Sequence, residues 1–241
     1  MVRSKGHGLM EPNMTNGTAP ILYSLHNCPY AIRARFALLK AQQCVLIRSI
    51  KLDNKPSEML EVSPKGSVPV LVIHNRSQIE TTQQKQILDE SLDIMVWALS
   101  ECDPNDLLIS GHPEALPKML EVIGEFESHF VPAMNAFGCA KRYHEDNADE
   151  LRKECERELI KLESLLTQHS FLFSERESLV DIAILPFIRK YARIDKQWFR
   201  QSPYPKLKVW LNGYIQSPHF SKVMKNYDLW LDAREEQYFG N

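Results

Sequence analysis

Apolar and polar positions follow two regimes along this chain, and the change falls near residue 102. Before it, short β-rich runs alternate with helix-period segments. Residues 21–25, "ILYSL", form a run of β-formers bounded by Pro20 and by His26-Asn27. From Tyr30 the period lengthens. Ile32, Phe36 and Leu39 recur at i, i+4 and i+7, Ala34, Ala37 and Leu38 fill the same side, and Arg33, Arg35 and Lys40 lie largely off it. Pro29 stands in the first turn, where its missing N–H has no intrahelical partner to lose. The pattern predicts strand, turn and helix, with Cys28 at the helix N-terminus. Residues 44–52, "CVLIRSIKL", read as a second strand, parallel to the first through a right-handed crossover. A short helix over 55–64 is stopped by Pro64, and a third strand follows over 67–73. The polar stretch 77–88, "SQIETTQQKQIL", reads as a hairpin tip leading to a short fourth strand near 86–88. A helix over 90–101 sets Leu92, Met95, Val96 and Leu99 on one face.

Turn residues cluster over 102–117, and beyond them the helical period dominates: 118–139, 147–168, 179–193 and 205–217, with shorter pieces near 219–226 and 228–236. The expected organisation is a polar, mobile tail over 1–18, an α/β domain over 19–102, a linker over 103–112 and an all-helical domain over 113–241.

Charge narrows the function classes. Charged residues make up 25% of the chain and the formal net charge is -2, a balance that argues against a nucleic-acid binder and against electrostatic membrane attachment. No apolar run approaches membrane-spanning length, and the positively charged N-terminus has no apolar core of a secretory signal. The five cysteines are odd in number and none are paired at Cys-x-x-Cys spacing. Reduced thiols in a cytoplasmic protein account for them more simply than disulfides or a zinc ribbon. His26 and Cys28 have no second ligand pair, so no metal is expected.

Cys28 is where chemistry is expected. Only the thiolate is a nucleophile, and an ordinary cysteine with a pKa of about 8.5 is a few per cent ionised at neutral pH. A helix N-terminus offers unpaired N–H groups and the positive end of the macrodipole, and Arg33 and Arg35 add positive charge nearby. In "CPYA", Ala31 occupies the place where a dithiol oxidoreductase keeps its second cysteine. A disulfide formed at Cys28 therefore needs an external thiol to resolve it. Taken by its local context alone, Cys28 reads more readily as a small apolar residue packed at a turn than as a nucleophile.

The strand–"CPYA"–helix unit, followed by "SPKGSVPVL", "ESLDI" and, in the second half, "SLVDIAILPF", resembles the cytosolic glutathione transferases, and most of all the cysteine-type omega class and related bacterial proteins. The resemblance runs from about residue 20 to 228. It implies a thioredoxin-like βαβαββα domain followed by an all-α domain. It also implies glutathione as co-substrate, a small electrophile or mixed disulfide as second substrate, and a homodimer. Cys28 takes the catalytic position. Val68 takes the position that pairs with glutathione through its backbone, and Pro69 is expected to be cis; a trans proline at a strand start is the other reading. Glu90 and Ser91 fall where the family holds the γ-glutamyl end, although Ser91 also reads as a plain helix cap. Lys55 matches a lysine that meets the glycyl end. Arg33 and Tyr30 take supporting places beside the cysteine, and Arg189 and Trp198 are candidates for the second-substrate pocket.

Two departures stand out. The insert "HNRSQIETTQQKQ" lengthens the connection before the fourth strand, reaching either the active-site rim or a partner subunit. No serine or tyrosine takes the place of the activating hydroxyl of conjugating classes; Tyr23 and Tyr30 are more simply packing. Ser178 and Asp181 form a capping box, a structural signal. The function implied is a glutathione-dependent thiol transferase, acting by deglutathionylation or dehydroascorbate-type reduction. A non-catalytic, protein-binding module of the same shape is the alternative, and conjugation through a hydroxyl a third.

Overall fold

The computed structural model describes residues 19–75 and 84–240. The expected tail over 1–18 and the hairpin tip over 77–83 lie outside those residues. The first half contains β1 (Ile21–Ser24), α1 (Pro29–Lys40), β2 (Val45–Ser49), α2 (Ser57–Val62), β3 (Val70–Asn75), β4 (Gln84–Leu88) and α3 (Ser91–Glu101). This is the βαβαββα order the pattern implied. The second half contains α4 (Ala115–Tyr143), α5 (Ala148–Gln168), α6 (Leu179–Ile194), α7 (Lys196–Gln201), α8 (Pro205–Ile215), α9 (Pro218–Val223), α10 (Trp230–Ala233) and β5 (Gln237–Phe239). Among the described residues no helix is long and apolar enough to cross a membrane.

The sheet runs β4-β3-β1-β2-β5, with β1 and β2 parallel and the other neighbours antiparallel. Alternation along the strands splits the core. Leu22, Ile47, Leu71 and Ile73 face α1 and α3, and this cluster continues without a break into the helical half. Tyr23, Val70 and Val72 face the other way and pack with Met59 of α2, with Cys28 at the margin. Phe36 is fully buried, and each such side chain contributes about 1.5–3 kcal/mol of transfer free energy.

Two expectations need correction. The final piece, read as helical over 228–236, is one short turn followed by a strand. Gln237–Phe239 pairs with Val45–Ile47, so the sheet has a fifth strand. Gly240 lets it lie close: at φ +102°, a Cβ there would stand 2.1 Å from the Gln43 carbonyl oxygen. A six-residue helix, α7, also forms in the gap between the helices expected over 179–193 and 205–217; the Asp195 side chain accepts from the Trp198 N–H and caps it. The capping box forms as read. Asp181 is buried and accepts from the Ser178 N–H and hydroxyl, the Leu172 N–H and the Trp210 indole N–H at 2.9–3.0 Å.

Candidate active site

The chain turns sharply after β1. The Cys28 N–H donates to the Leu25 carbonyl at 3.2 Å, and the Cys28 carbonyl accepts the first helical bond, from the Ile32 N–H at 2.9 Å. Cys28 is therefore the N-cap of α1, with extended backbone and Pro29 in the first turn, and no acidic residue occupies that turn. The N–H groups of Tyr30 and Ala31 precede the first helical bond, so a thiolate at Cys28 meets donors and the positive end of a twelve-residue helix.

Arg35 fixes the loop from beneath. Its buried guanidinium donates to the Ser24 hydroxyl, to the Leu25 carbonyl at 3.3 Å, to the His26 carbonyl at 2.6 Å and, across the domain boundary, to the Val223 carbonyl at 3.0 Å. Burial lowers its pKa to about 10, which still leaves it charged at neutral pH. His26 bonds the next helical-domain carbonyl, Met224, through Nε2 at 3.0 Å.

Opposite the thiol, the Val68–Pro69 peptide bond is cis, and the Val68 carbonyl oxygen lies 4.0 Å from Cys28 Sγ. Among the described residues the Val68 N–H meets no backbone acceptor. Gly66, at φ +63°, brings the chain past Lys55: a Cβ on Gly66 would stand 3.2 Å from Lys55 Nζ. Ser63, at the end of α2, donates from its hydroxyl to Asp89 at 2.9 Å and ties that helix to the start of α3.

Ser91 opens α3 and is only 2% exposed. The helix cap is Glu90, with no side-chain cap bond, so the reading of Ser91 as a plain cap does not hold. Its hydroxyl instead accepts from Arg33 Nε at 2.9 Å. Glu90 is exposed and paired with the Lys65 ammonium. Tyr30 packs edge-on against Phe187 of α6, with centroids 5.0 Å apart, and the Arg33 guanidinium lies over its ring at 5.1 Å. Burial raises the Tyr30 pKa, reinforced by Glu127, Cys28 and Glu90, so its hydroxyl stays protonated.

Cys28, Tyr30, Arg33, Val68, Pro69, Glu90 and Ser91 thus gather between the N-termini of α1 and α3, with Lys55 alongside Gly66. Trp198 is placed elsewhere, whereas Arg189 lies close enough to Arg35, beneath the Cys28 loop, for the two charges to repel. Trp198 packs edge-on against Tyr191 and beneath Arg152 inside the helical half. The Arg189 guanidinium lies over Phe220 at 5.3 Å. Tyr23 points its hydroxyl at Arg48, 2.7 Å away, and is packing as read. Two residues of the site escaped sequence reasoning: Glu127 of α4, which pairs with Arg33, and Phe187, the wall against Tyr30. Nothing in their local sequence marks them beyond helical period. No group of three or more metal-ligating side chains occurs among the described residues.

Family models match both halves of the chain: the glutathione S-transferase N-terminal domain over residues 22–105 and the C-terminal domain over 122–218. Glutathione S-transferase omega-1 of Sus scrofa is 27% identical over 225 residues, covering 92% of this chain and 87% of that protein. A glutathione transferase from Pseudomonas putida, solved with one glutathione disulfide bound per subunit, superposes with a TM-score of 0.72 at 19% identity, over 90% of this chain and 95% of that one. The glutathione transferase Omega 2C of Trametes versicolor gives 0.65 at 19% identity, over 86% and 94%. At such identities the two structures speak for the fold.

Proposed function

The chain belongs to the glutathione S-transferase family, and from that premise we propose that it is a glutathione-dependent thiol transferase with Cys28 as its nucleophile. The observation that carries the reading is the thiol itself: a half-buried cysteine at the N-terminus of α1, 4.0 Å from the Val68 carbonyl. In this reading glutathione lies extended along Val68 and pairs with its backbone. Ser91 and the first turn of α3 take the γ-glutamyl carboxylate. Glu90 exchanges its exposed lysine partner for the substrate ammonium, and Lys55 meets the glycyl carboxylate.

The chemistry needs no metal. The Cys28 thiolate attacks the glutathione sulfur of a mixed disulfide, the S–S bond breaks, and the departing thiolate takes a proton from water. Cys28 now carries glutathione. The thiolate of a second glutathione attacks that sulfur, leaves as glutathione disulfide, and restores the Cys28 thiolate. Ala31 is why the second thiol comes from outside. Dehydroascorbate would enter at the same sulfur. The Cys28 thiolate adds to a carbonyl carbon, one glutathione thiolate attacks the Cys28 sulfur, and the C–S bond breaks to release ascorbate. A second glutathione resolves the resulting adduct as glutathione disulfide. The reading includes a homodimer in a reducing, cytoplasmic setting.

The test compares wild type with Cys28→Ser in the glutathione-dependent reduction of a small mixed disulfide, with intact mass after exposure to oxidised glutathione. Turnover and a single glutathione adduct in the wild type, both lost in the variant, are expected. Turnover retained by the variant would move the chemistry to a hydroxyl. No adduct and no turnover in the wild type would leave a transferase-shaped binding module.

A further inference from the structure

Arg33 is an unusual residue to find in this place. Its relative exposure is 3%, so a full positive charge sits inside the protein beside the reactive cysteine. Such a charge needs a partner, because the desolvation cost of an unpaired buried ion is several kcal/mol. The partner comes from the other domain: Glu127, in the middle of α4, accepts from Nη1. The guanidinium is further held by two rings, Tyr30 at 5.1 Å and Phe187 at 5.5 Å. Its remaining directed bond, from Nε, goes to the Ser91 hydroxyl at 2.9 Å.

That last bond has a consequence for Ser91. A hydroxyl has one proton to give and two lone pairs. Here a cationic N–H occupies a lone pair, so the Ser91 proton is left for a different acceptor. Among the described residues no other hydrogen bond of this hydroxyl occurs. A hydroxyl that accepts from a cation is also a stronger donor. Beside it are the first N–H groups of α3, which the helix leaves unpaired. The arrangement is a donor set for an anion, and it depends on Arg33 staying where Glu127 holds it. Without Glu127, Arg33 becomes an uncompensated buried cation that turns toward whatever anion is within reach, and its hold on Ser91 is lost.

We propose that Glu127 is a positioning residue for the glutathione site: through Arg33 it orients the Ser91 hydroxyl toward the γ-glutamyl carboxylate. The inference deepens the proposed function and rests on its reading of Ser91. It makes the helical domain, through a single carboxylate, a determinant of glutathione affinity.

The experiment measures KM for glutathione and kcat in wild type, Glu127→Gln, Ser91→Ala and the double variant. A hydrogen bond to a charged group is worth enough that Glu127→Gln should raise KM about tenfold or more. The kcat at saturating glutathione should change much less, because Cys28 is untouched. Ser91→Ala should raise KM similarly, and adding Glu127→Gln to it should cost nothing further. The probe 4-aminobutyryl-cysteinyl-glycine lacks the γ-glutamyl α-carboxylate; wild type and Glu127→Gln should use it equally. Should Glu127→Gln fail to fold, Arg33→Lys cuts the same link from the other side, because an ammonium cannot hold both partners in the fork geometry, and the same rise in KM is expected.

Ser91→Ala that weakens glutathione while Glu127→Gln and Arg33→Lys do not would overturn the inference and leave the proposed function standing. Multiplying effects in the double variant, or equal losses with the truncated probe, would also overturn it, making Glu127 a purely structural ion-pair partner. A Ser91→Ala protein with unchanged KM would instead remove the reading on which the inference rests.

Discussion

Ala31 shows how much one side chain decides. It is fully buried one turn into α1, three residues after Cys28, on the spacing at which a second thiol would reach the first. Ala31→Cys should therefore convert an external resolution into an internal one. After exposure to oxidised glutathione the variant should show an intramolecular disulfide, two mass units below the dithiol, where the wild type shows a glutathione adduct. A persistent adduct in the variant would mean that the two sulfurs cannot meet. Residues of this kind were legible in the sequence because their meaning is local: Cys28 ends a β run, Pro69 interrupts one, and Ser91 opens a helical one. The Arg33–Glu127 pair joins residues 94 apart, and no local pattern carries such a pairing. Trp198, an aromatic whose residue type fits core better than pocket, packs against Tyr191 and Tyr204 inside the helical half.

Among the elements, the strands and long helices follow their periods closely, whereas the C-terminal segment does not. Three residues are too few for alternation to register, so β5 emerges only from its partner strand and from Gly240. Around it the segment makes a polar knot with α2. Trp230 stacks under Arg48 at 4.0 Å and donates its indole N–H to Glu58 at 2.6 Å, and Arg234 donates to the same carboxylate. Partial burial alone would raise the Glu58 pKa; the bonds from Trp230, its own backbone and Arg234 outweigh this and hold it at about 2. An unfolded glutamate titrates near 4.3. The sign follows: the folded form favours the carboxylate, so its stabilisation is complete above about pH 4.3 and is lost as pH falls toward 2. The Trp230 indole N–H resonance should shift over that window in the wild type and stay flat in Glu58→Gln. A wild-type resonance unmoved between those limits would detach the knot from Glu58. The knot matters because α2 follows directly on Lys55.

Across the whole molecule, the two domains share one core, and the Cys28 loop is suspended between them. Residues from β1, α1 and α3 belong to the same buried cluster as those of α4, α6 and α8. Arg35 ties the Cys28 loop by its own side chain both to β1 and to the Val223 carbonyl of the helical half. Arg35→Leu keeps roughly the volume and removes all four donations, leaving the buried Ser24 hydroxyl and Val223 carbonyl and the half-buried His26 carbonyl without this partner, while the Leu25 carbonyl keeps its bond from the Cys28 N–H. Each such loss costs about 1–3 kcal/mol where no water can enter. The shared core argues that the protein unfolds in one transition, so the cost should appear as a single lower urea midpoint with coincident probes from the two halves. Amide exchange should rise first at residues 24–28, and the glutathione adduct on Cys28 should form more slowly even in the still-folded protein. A single transition at an unchanged midpoint in Arg35→Leu, with the loop as protected as before, would assign the domain coupling to apolar packing alone. In that case the buried arginine would only fill space beneath the cysteine, and the position of the thiol would be set by the turn and the first helical bond without help from the second domain.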